Sequence, residues 1–169
     1  MEEREWTLSR ARIAIGALTL SAAAFVGILT REGYTDNAVI PTIGDVPTVG
    51  FGTTGGVKMG DRTTPVKAAQ RALKDAQSYE GAIKRCVTVP MSQEEYDLYT
   101  LLAYNIGSGN FCSSTIVKRL NARDYAGACT AILRFKYAAG YDCSTPGNTR
   151  CAGVWTDRLK THAACMAAQ

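Results

Sequence analysis

A chain of 169 residues with 46% apolar side chains is long enough for one domain with a full core, or for one domain behind a short leader, and its size excludes no enzyme class. Nineteen Lys and Arg against fifteen Asp and Glu give a formal charge of +4, with the cations interspersed among the acids, which argues against a nucleic-acid footprint. Such a mild excess suits an anionic polymer or a membrane surface.

The first element in chain order is an uncharged apolar stretch over residues 13–30. It carries Ile13, Ile15, Leu18, Leu20, Phe25, Val26, Ile28 and Leu29, diluted by Ala, Gly, Ser and Thr. Each strong residue favours insertion by roughly 0.3–0.6 kcal/mol, so a helix here sits at the margin of membrane stability, and its length is near the lower limit of a span. Arg4, Arg10 and Arg12 precede it and Arg31 alone closely follows, so the positive-inside rule keeps the N-terminus cytoplasmic and places the body across the membrane. Three readings stand: a signal peptide cleaved near Ala22-Ala23-Ala24, past which the apolar run continues to Leu29; a buried core helix; and a weak anchor able to leave lipid. The small residues favour the third. Residues 1–30 then form a leader and 31–169 the functional domain.

Val46, Thr48, Phe51 and Thr53 among the glycines of residues 44–60 predict short strands in a small β-hairpin lobe. A helix is predicted over 65–85, with Pro65 suited to its first turn and Val66, Ala69, Leu73 and Ala76 at helical spacing. Ser92-x-x-Glu95 reads as a capping box opening a second helix with Tyr96, Tyr99, Leu102 and Ala103 on its apolar face. Further helices are expected at 114–121, 124–137 and 155–167.

Six cysteines, all downstream of the apolar stretch, contain no Cys-x-x-Cys spacing, which favours disulfides in an oxidising compartment over a zinc site. Cys143 and Cys151 bracket a turn-rich loop suited to a local bridge. Gly50-Phe51-Gly52-Thr53-Thr54-Gly55 matches a dinucleotide fingerprint in letters only, because no long strand precedes it and no βαβ unit follows. His162 is the single histidine and no Gly-x-Ser-x-Gly occurs, so histidine-based nucleophilic hydrolysis lacks its parts. What remains is carboxylate chemistry, thiols locked as disulfides, or no chemistry at all, and Glu32 is the first carboxylate after the apolar stretch, where apolar neighbours raise a carboxyl pKa.

Glu32-Gly33-Tyr34, a spacer, then Pro47-Thr48-Val49-Gly50-Phe51-Gly52-Thr53-Thr54 resembles the start of the phage-type lysozymes, the endolysins of glycoside hydrolase family 24. The stretch before it resembles a signal-anchor-release segment. Tyr104-Asn105-Ile106-Gly107 through Phe111, Ser114-Thr115 with Leu120-Asn121, and later Tyr137-Ala138-Ala139-Gly140 and Gly153-Val154 with Arg158 extend the likeness over nearly all of residues 28–167. Two departures stand out: Asp157 replaces one of two family arginines, and the loop bearing Cys143 and Cys151 is an elaboration.

The resemblance implies an α+β, mostly helical lysozyme-like fold with a small β-hairpin lobe, here behind an N-terminal apolar helix. It implies hydrolysis of the β-1,4 bond between N-acetylmuramic acid and N-acetylglucosamine, with no cofactor and no metal. Glu32 takes the role of general acid. Where the family places a second carboxylate or Cys this chain has Pro41, so Asp45 is the choice for positioning water, with Asp36, or no carboxylate at all, as alternatives. Thr48, one residue beyond the usual offset, is expected to hold the nucleophilic water. Asn105, Ser114, Thr115 and Arg158 are implied substrate contacts, with the Arg158 guanidinium near Glu32. Positions in related enzymes pair Cys129 with Cys165, leaving Cys86 with Cys112. The implied partners are peptidoglycan and, through residues 13–30, the inner membrane, from which a monomer is released into the periplasm to lyse the host. A lytic transglycosylase and an inactive anchored wall-binding module are the rival readings.

Overall fold

The computed structural model describes residues 11–41 and 44–169, so Arg4 and Arg10 of the leader lie outside the described residues. Seven helices are described: α1 (Ala22–Glu32), α2 (Pro65–Cys86), α3 (Gln93–Ile106), α4 (Ser108–Cys112), α5 (Thr115–Asn121), α6 (Tyr125–Ala131) and α7 (Ala152–Ala167). Strands β1 (Thr35–Val39) and β2 (Thr48–Gly50) pair antiparallel, with Thr35 opposite Gly50 and Val39 opposite Thr48. A second hairpin joins β3 (Tyr137–Ala138) to β4 (Tyr141–Asp142).

Local chemistry accounts for the helix starts. The Thr64 hydroxyl accepts from Lys67 N ahead of Pro65, and Ser92 and Glu95 exchange both bonds of a capping box. Ser114 and Asp124 cap α5 and α6 in the same way. The predicted helix over 124–137 ends early: α6 stops at Ala131, one 3₁₀ turn follows, and the chain enters the β3–β4 hairpin. The two-residue turn Ala139-Gly140 has φ of 48° and 81°, the left-handed pair that a tight hairpin demands and a helix forbids.

Tyr96, Tyr99, Leu102, Phe111, Ile116, Leu120 and Ile132 build the main core around α3. A small satellite of Ala38, Val49 and Val57 holds the β1–β2 lobe. All six cysteines pair: Cys86–Cys112 ties the end of α2 to α4, Cys129–Cys165 ties α6 to α7, and Cys143–Cys151 closes the loop before α7. By chain entropy, the separation of 36 residues makes the second bridge worth about 4 kcal/mol.

The apolar stretch 13–30 is not one helix. Ile15–Ala17 forms a single 3₁₀ turn, the chain then runs extended, and α1 begins only at Ala22. Carboxylates of the body take the backbone donors that a continuous helix would use internally. Glu80 Oε1 accepts from Leu20 N at 2.7 Å and Asp97 Oδ1 from Ser21 N at 2.9 Å, while Ser21 caps α1. Leu18 is buried in the main core, and Ile13 exchanges two backbone bonds with Met91. Among the described residues no helix is long and apolar enough to cross a membrane.

Arg12 anchors the start of this segment. Its guanidinium reaches both oxygens of Glu95, the shortest bond being 2.7 Å, and lies 3.8 Å over the Tyr125 ring. Glu95 is 1% exposed, so removing its cation leaves a buried charge with only the Ser92 amide and Gln169 to compensate. Arg12→Ala is expected to lower unfolding free energy by about 1–3 kcal/mol, read as a reduced urea midpoint at unchanged slope.

Candidate active site

Glu32 is the last residue of α1, so its carboxyl is set by the helix rather than by a loop. It opens onto a cleft of about 670 Å³ lined also by Gly52, Asp75, Tyr79, Tyr104 and Asn105. The fit against the lobe is close. The φ of +76° at Gly52 favours glycine, and a Cβ added there would stand 2.9 Å from Glu32 Oε2 and push the carboxyl aside. Phe51 stacks on Tyr34 with ring centroids 5.3 Å apart, and the Tyr104 hydroxyl donates to Phe51 O at 3.5 Å, which holds the Phe51-Gly52 turn in place.

Burial pushes the Glu32 pKa above the ordinary carboxylate value, and the neighbouring Arg31 pulls it back by a smaller amount. Glu32 in turn helps to raise the Tyr79 and Tyr104 phenols, after burial and Asp75. Tyr79 and Tyr104 pack at 5.0 Å and form an aromatic wall.

A second hollow of about 570 Å³ lies between α3 and α7, lined by Leu98, Leu101, Leu102 and Ala164. It is mainly apolar, whereas the Glu32 cleft gathers carboxylates, hydroxyls and an amide, the groups that grip a polar substrate.

The other expected residues fall in three places. Asn105 lines the Glu32 cleft, and its Oδ1 accepts a short bond from Arg158 Nη2. Ser114 and Thr115 border a neighbouring hollow of about 310 Å³ with Asn110, Ser113 and Arg134, and Arg134 Nη1 reaches Thr115 Oγ1 at 3.4 Å. The short helix α4 separates the two hollows, with Ser108 and Gly109 on one side and Asn110 on the other. Asp45 is exposed and accepts from Val46 N at 2.9 Å, while Thr48 opens β2 and donates to Val46 O at 3.2 Å. Neither is part of the lining that surrounds Glu32. Asp36 accepts from the Asn37 amide at 2.7 Å on the exposed side of β1.

Arg158 is 5% exposed and makes no ion pair with Glu32 among the described residues. Its donors go to Phe135 O at 3.1 Å, to Asn105 and to Asp157. Sequence reasoning missed Asp75 and Tyr79. They stand four residues apart on α2, hence on one face, and Asp75 Oδ2 accepts from the buried Thr53 hydroxyl at 3.0 Å. That i, i+4 acid and aromatic pair was the available signal. No group of three or more His, Cys, Asp or Glu suited to a metal occurs among the described residues.

The chain is 37% identical over 112 residues to a SAR-endolysin of Pseudomonas phage phiKMV, covering 66% of this chain and 68% of that protein. It is 36% identical over 107 residues to an endolysin of Salmonella phage P22, covering 63% and 73%. The solved endolysin from Escherichia coli O157:H7 phage FAHEc1 superposes with a TM-score of 0.75 at 26% identity, over 91% of this chain and 97% of that one. With the family model described as phage lysozyme matching residues 29–156, and a helical body around a Glu-bearing cleft, the chain belongs to the phage lysozyme family.

Proposed function

We propose that this chain is a muramidase that hydrolyses the β-1,4 bond between N-acetylmuramic acid and N-acetylglucosamine, and that residues 31–169 carry the activity. The observation that supports it most is Glu32 fixed at a helix end against Gly52, lining a polar cleft, with a carboxyl whose partial desolvation shifts it toward the protonated form. A protonated carboxyl gives its proton to the leaving glycosidic oxygen as the bond breaks. Thr48 and Asp45, in the β1–β2 lobe outside the lining around Glu32, are assigned to hold and orient the attacking water once glycan bridges the lobe and the cleft. Asn105 meets the sugar beside Glu32, while Ser114 and Thr115 meet the glycan beyond α4. Arg158 supports Asn105 from behind.

Residues 1–30 act in this proposal as a releasable anchor, as the names of the phiKMV and other SAR-endolysin relatives suggest. The enzyme starts in the host inner membrane with its body in the periplasm and becomes a soluble monomer that lyses the cell. Supporting this, the apolar stretch is seated on the body by side chains that a membrane helix would not meet. Glu32 is the last residue of α1, so an anchored segment keeps the acid from its cleft.

Digestion of purified peptidoglycan with wild type and Glu32→Gln, followed by mass analysis, tests the reaction. Wild type is expected to release fragments with new reducing ends, and the amide variant to lose at least about a hundredfold in rate while keeping its unfolding midpoint. Anhydro sugars would instead mark a transglycosylase, and no fragments a binding module. Asp45→Asn is expected to cost less than Glu32→Gln. The sign of the pH dependence follows from the acid: activity is full where Glu32 is protonated and falls as pH rises through its raised pKa. Replacing Gly16, Ala17, Ala22, Ala23, Ala24 and Gly27 by leucine is expected to leave intact protein in the membrane fraction and delay lysis. Lysis on the wild-type schedule would exclude the releasable anchor.

A further inference from the structure

Where the family pattern carries two consecutive arginines this chain has Asp157-Arg158, and the structure gives the substitution a use. Asp157 Oδ2 accepts from Arg31 Nη2 at 2.7 Å and makes a short bond to Arg158 Nη1. Arg31 directly precedes Glu32 on α1, and Arg158 is joined through Asn105 to the wall of the same cleft. Arg31 therefore acts on the acid directly and Arg158 reaches the cleft through Asn105, and one carboxylate engages both. Neither pairs with Glu32.

We propose that Asp157 is a positioning residue for the acid: it holds Arg31 off Glu32, so that the carboxyl keeps its proton until the leaving oxygen takes it. This rests on the muramidase reading of Glu32. The charged and titratable groups around Glu32 are Arg31 on its own helix, Asp75 and Tyr79 on α2, and Tyr104 on α3. Facing Asp157 across the α3–α7 hollow are Arg31 of α1 and Glu94 and Asp97 of α3, with Arg158 and Lys160 on its own helix. Asp97 is engaged by Ser21 N and the Gln93 amide, each of which bonds Asp97 Oδ1. With Asp157 made neutral, Arg31, only partly buried and adjacent to Glu32 in the chain, loses its partner and can turn toward the acid, with Glu94 and Asp97 as the competing carboxylates. A cation brought within about 4–6 Å of a carboxylate favours the charged form, which cannot donate.

The two forces on Glu32 already oppose each other. Burial raises its pKa and Arg31, paired with Asp157, lowers it by less. A purely structural ion pair at this partly exposed site would contribute little to stability and nothing to the pH profile.

The test is the pH dependence of kcat/KM on purified peptidoglycan for wild type, Asp157→Asn and Asp157→Asn/Arg31→Gln, alongside carbon-13 NMR titration of the Glu32 carboxyl, which needs no substrate. Asp157→Asn is expected to keep the wild-type rate at the acid end and lose about tenfold at mildly alkaline pH, because the falling limb moves to lower pH. Removing the Arg31 charge in that background is expected to restore the limb, and the carboxyl titration to move with it. Asp157→Ser serves if the amide variant misfolds, with the same shift required. An unmoved limb and titration, or an equal loss at every pH, overturns the proposal. If wild type itself releases no fragments, the muramidase reading fails, while the titration still decides whether Asp157 governs the Glu32 proton.

Discussion

The register of α1 is the constraint on which the candidate site depends. This helix has 11 residues, about 16 Å of rise, and Glu32 is the last of them. A slip of one residue would turn the carboxyl by about 100° and shift it 1.5 Å, off the bare backbone of Gly52. The body fixes both ends. Glu80 and Asp97 take the amides of Leu20 and Ser21 at the start, and Asp157 takes Arg31 at the finish, with Ile28 buried between them. A small lobe then completes the site, because Gly52 tolerates the approach of the carboxyl and the Phe51 contacts hold the turn that carries it.

Sequence reasoning reached most of what is local. The capping box at Ser92 and Glu95, the start of α2 at Pro65 and the bridge across the Cys143–Cys151 loop each depend on residues close in the chain, and each formed. Resemblance supplied the two longer disulfides. The division of residues 13–30 was out of reach, since Glu80 lies 60 residues from Leu20 and Asp97 lies 76 from Ser21. Apolar periodicity reports that a segment wants to leave water, not which buried carboxylate will claim its amides. The end of α6 was misread because Ile132 and Leu133 continue an apolar helix pattern, while the demand for left-handed backbone comes from the hairpin beyond. Asp75 stayed hidden for the reason Glu80 did: its partner Thr53 is 22 residues away.

Within the site, legibility divided along the same line. Glu32 and Asn105 share the cleft, and both belong to motifs read in one stretch. Asp45 and Thr48 follow a spacer in which a proline stands at the family's carboxylate position. Their side chains bond locally to Val46. The expectation of Arg158 near the acid comes from a pattern of two arginines, whereas here Asp157 stands in place of one and engages both Arg31 and Arg158.

Helix α2 links the leader to the cleft. Asp75 and Tyr79 face the cleft, and Glu80, the next residue, receives the amide of Leu20 and the hydroxyl of Tyr96. Under the proposed topology, an anchored segment leaves Glu80 without Leu20 and Glu95 without Arg12, two carboxylates enclosed by the body with fewer partners than they need. An under-partnered buried charge costs several kcal/mol, a scale similar to the marginal insertion energy of the segment. Leu18 and Ile28 add burial of their own on arrival. On that topology the pull removing the segment from lipid would be polar as well as apolar, and the contacts supplying it would be those that set α1 in register, so release and assembly of the acid would be one event.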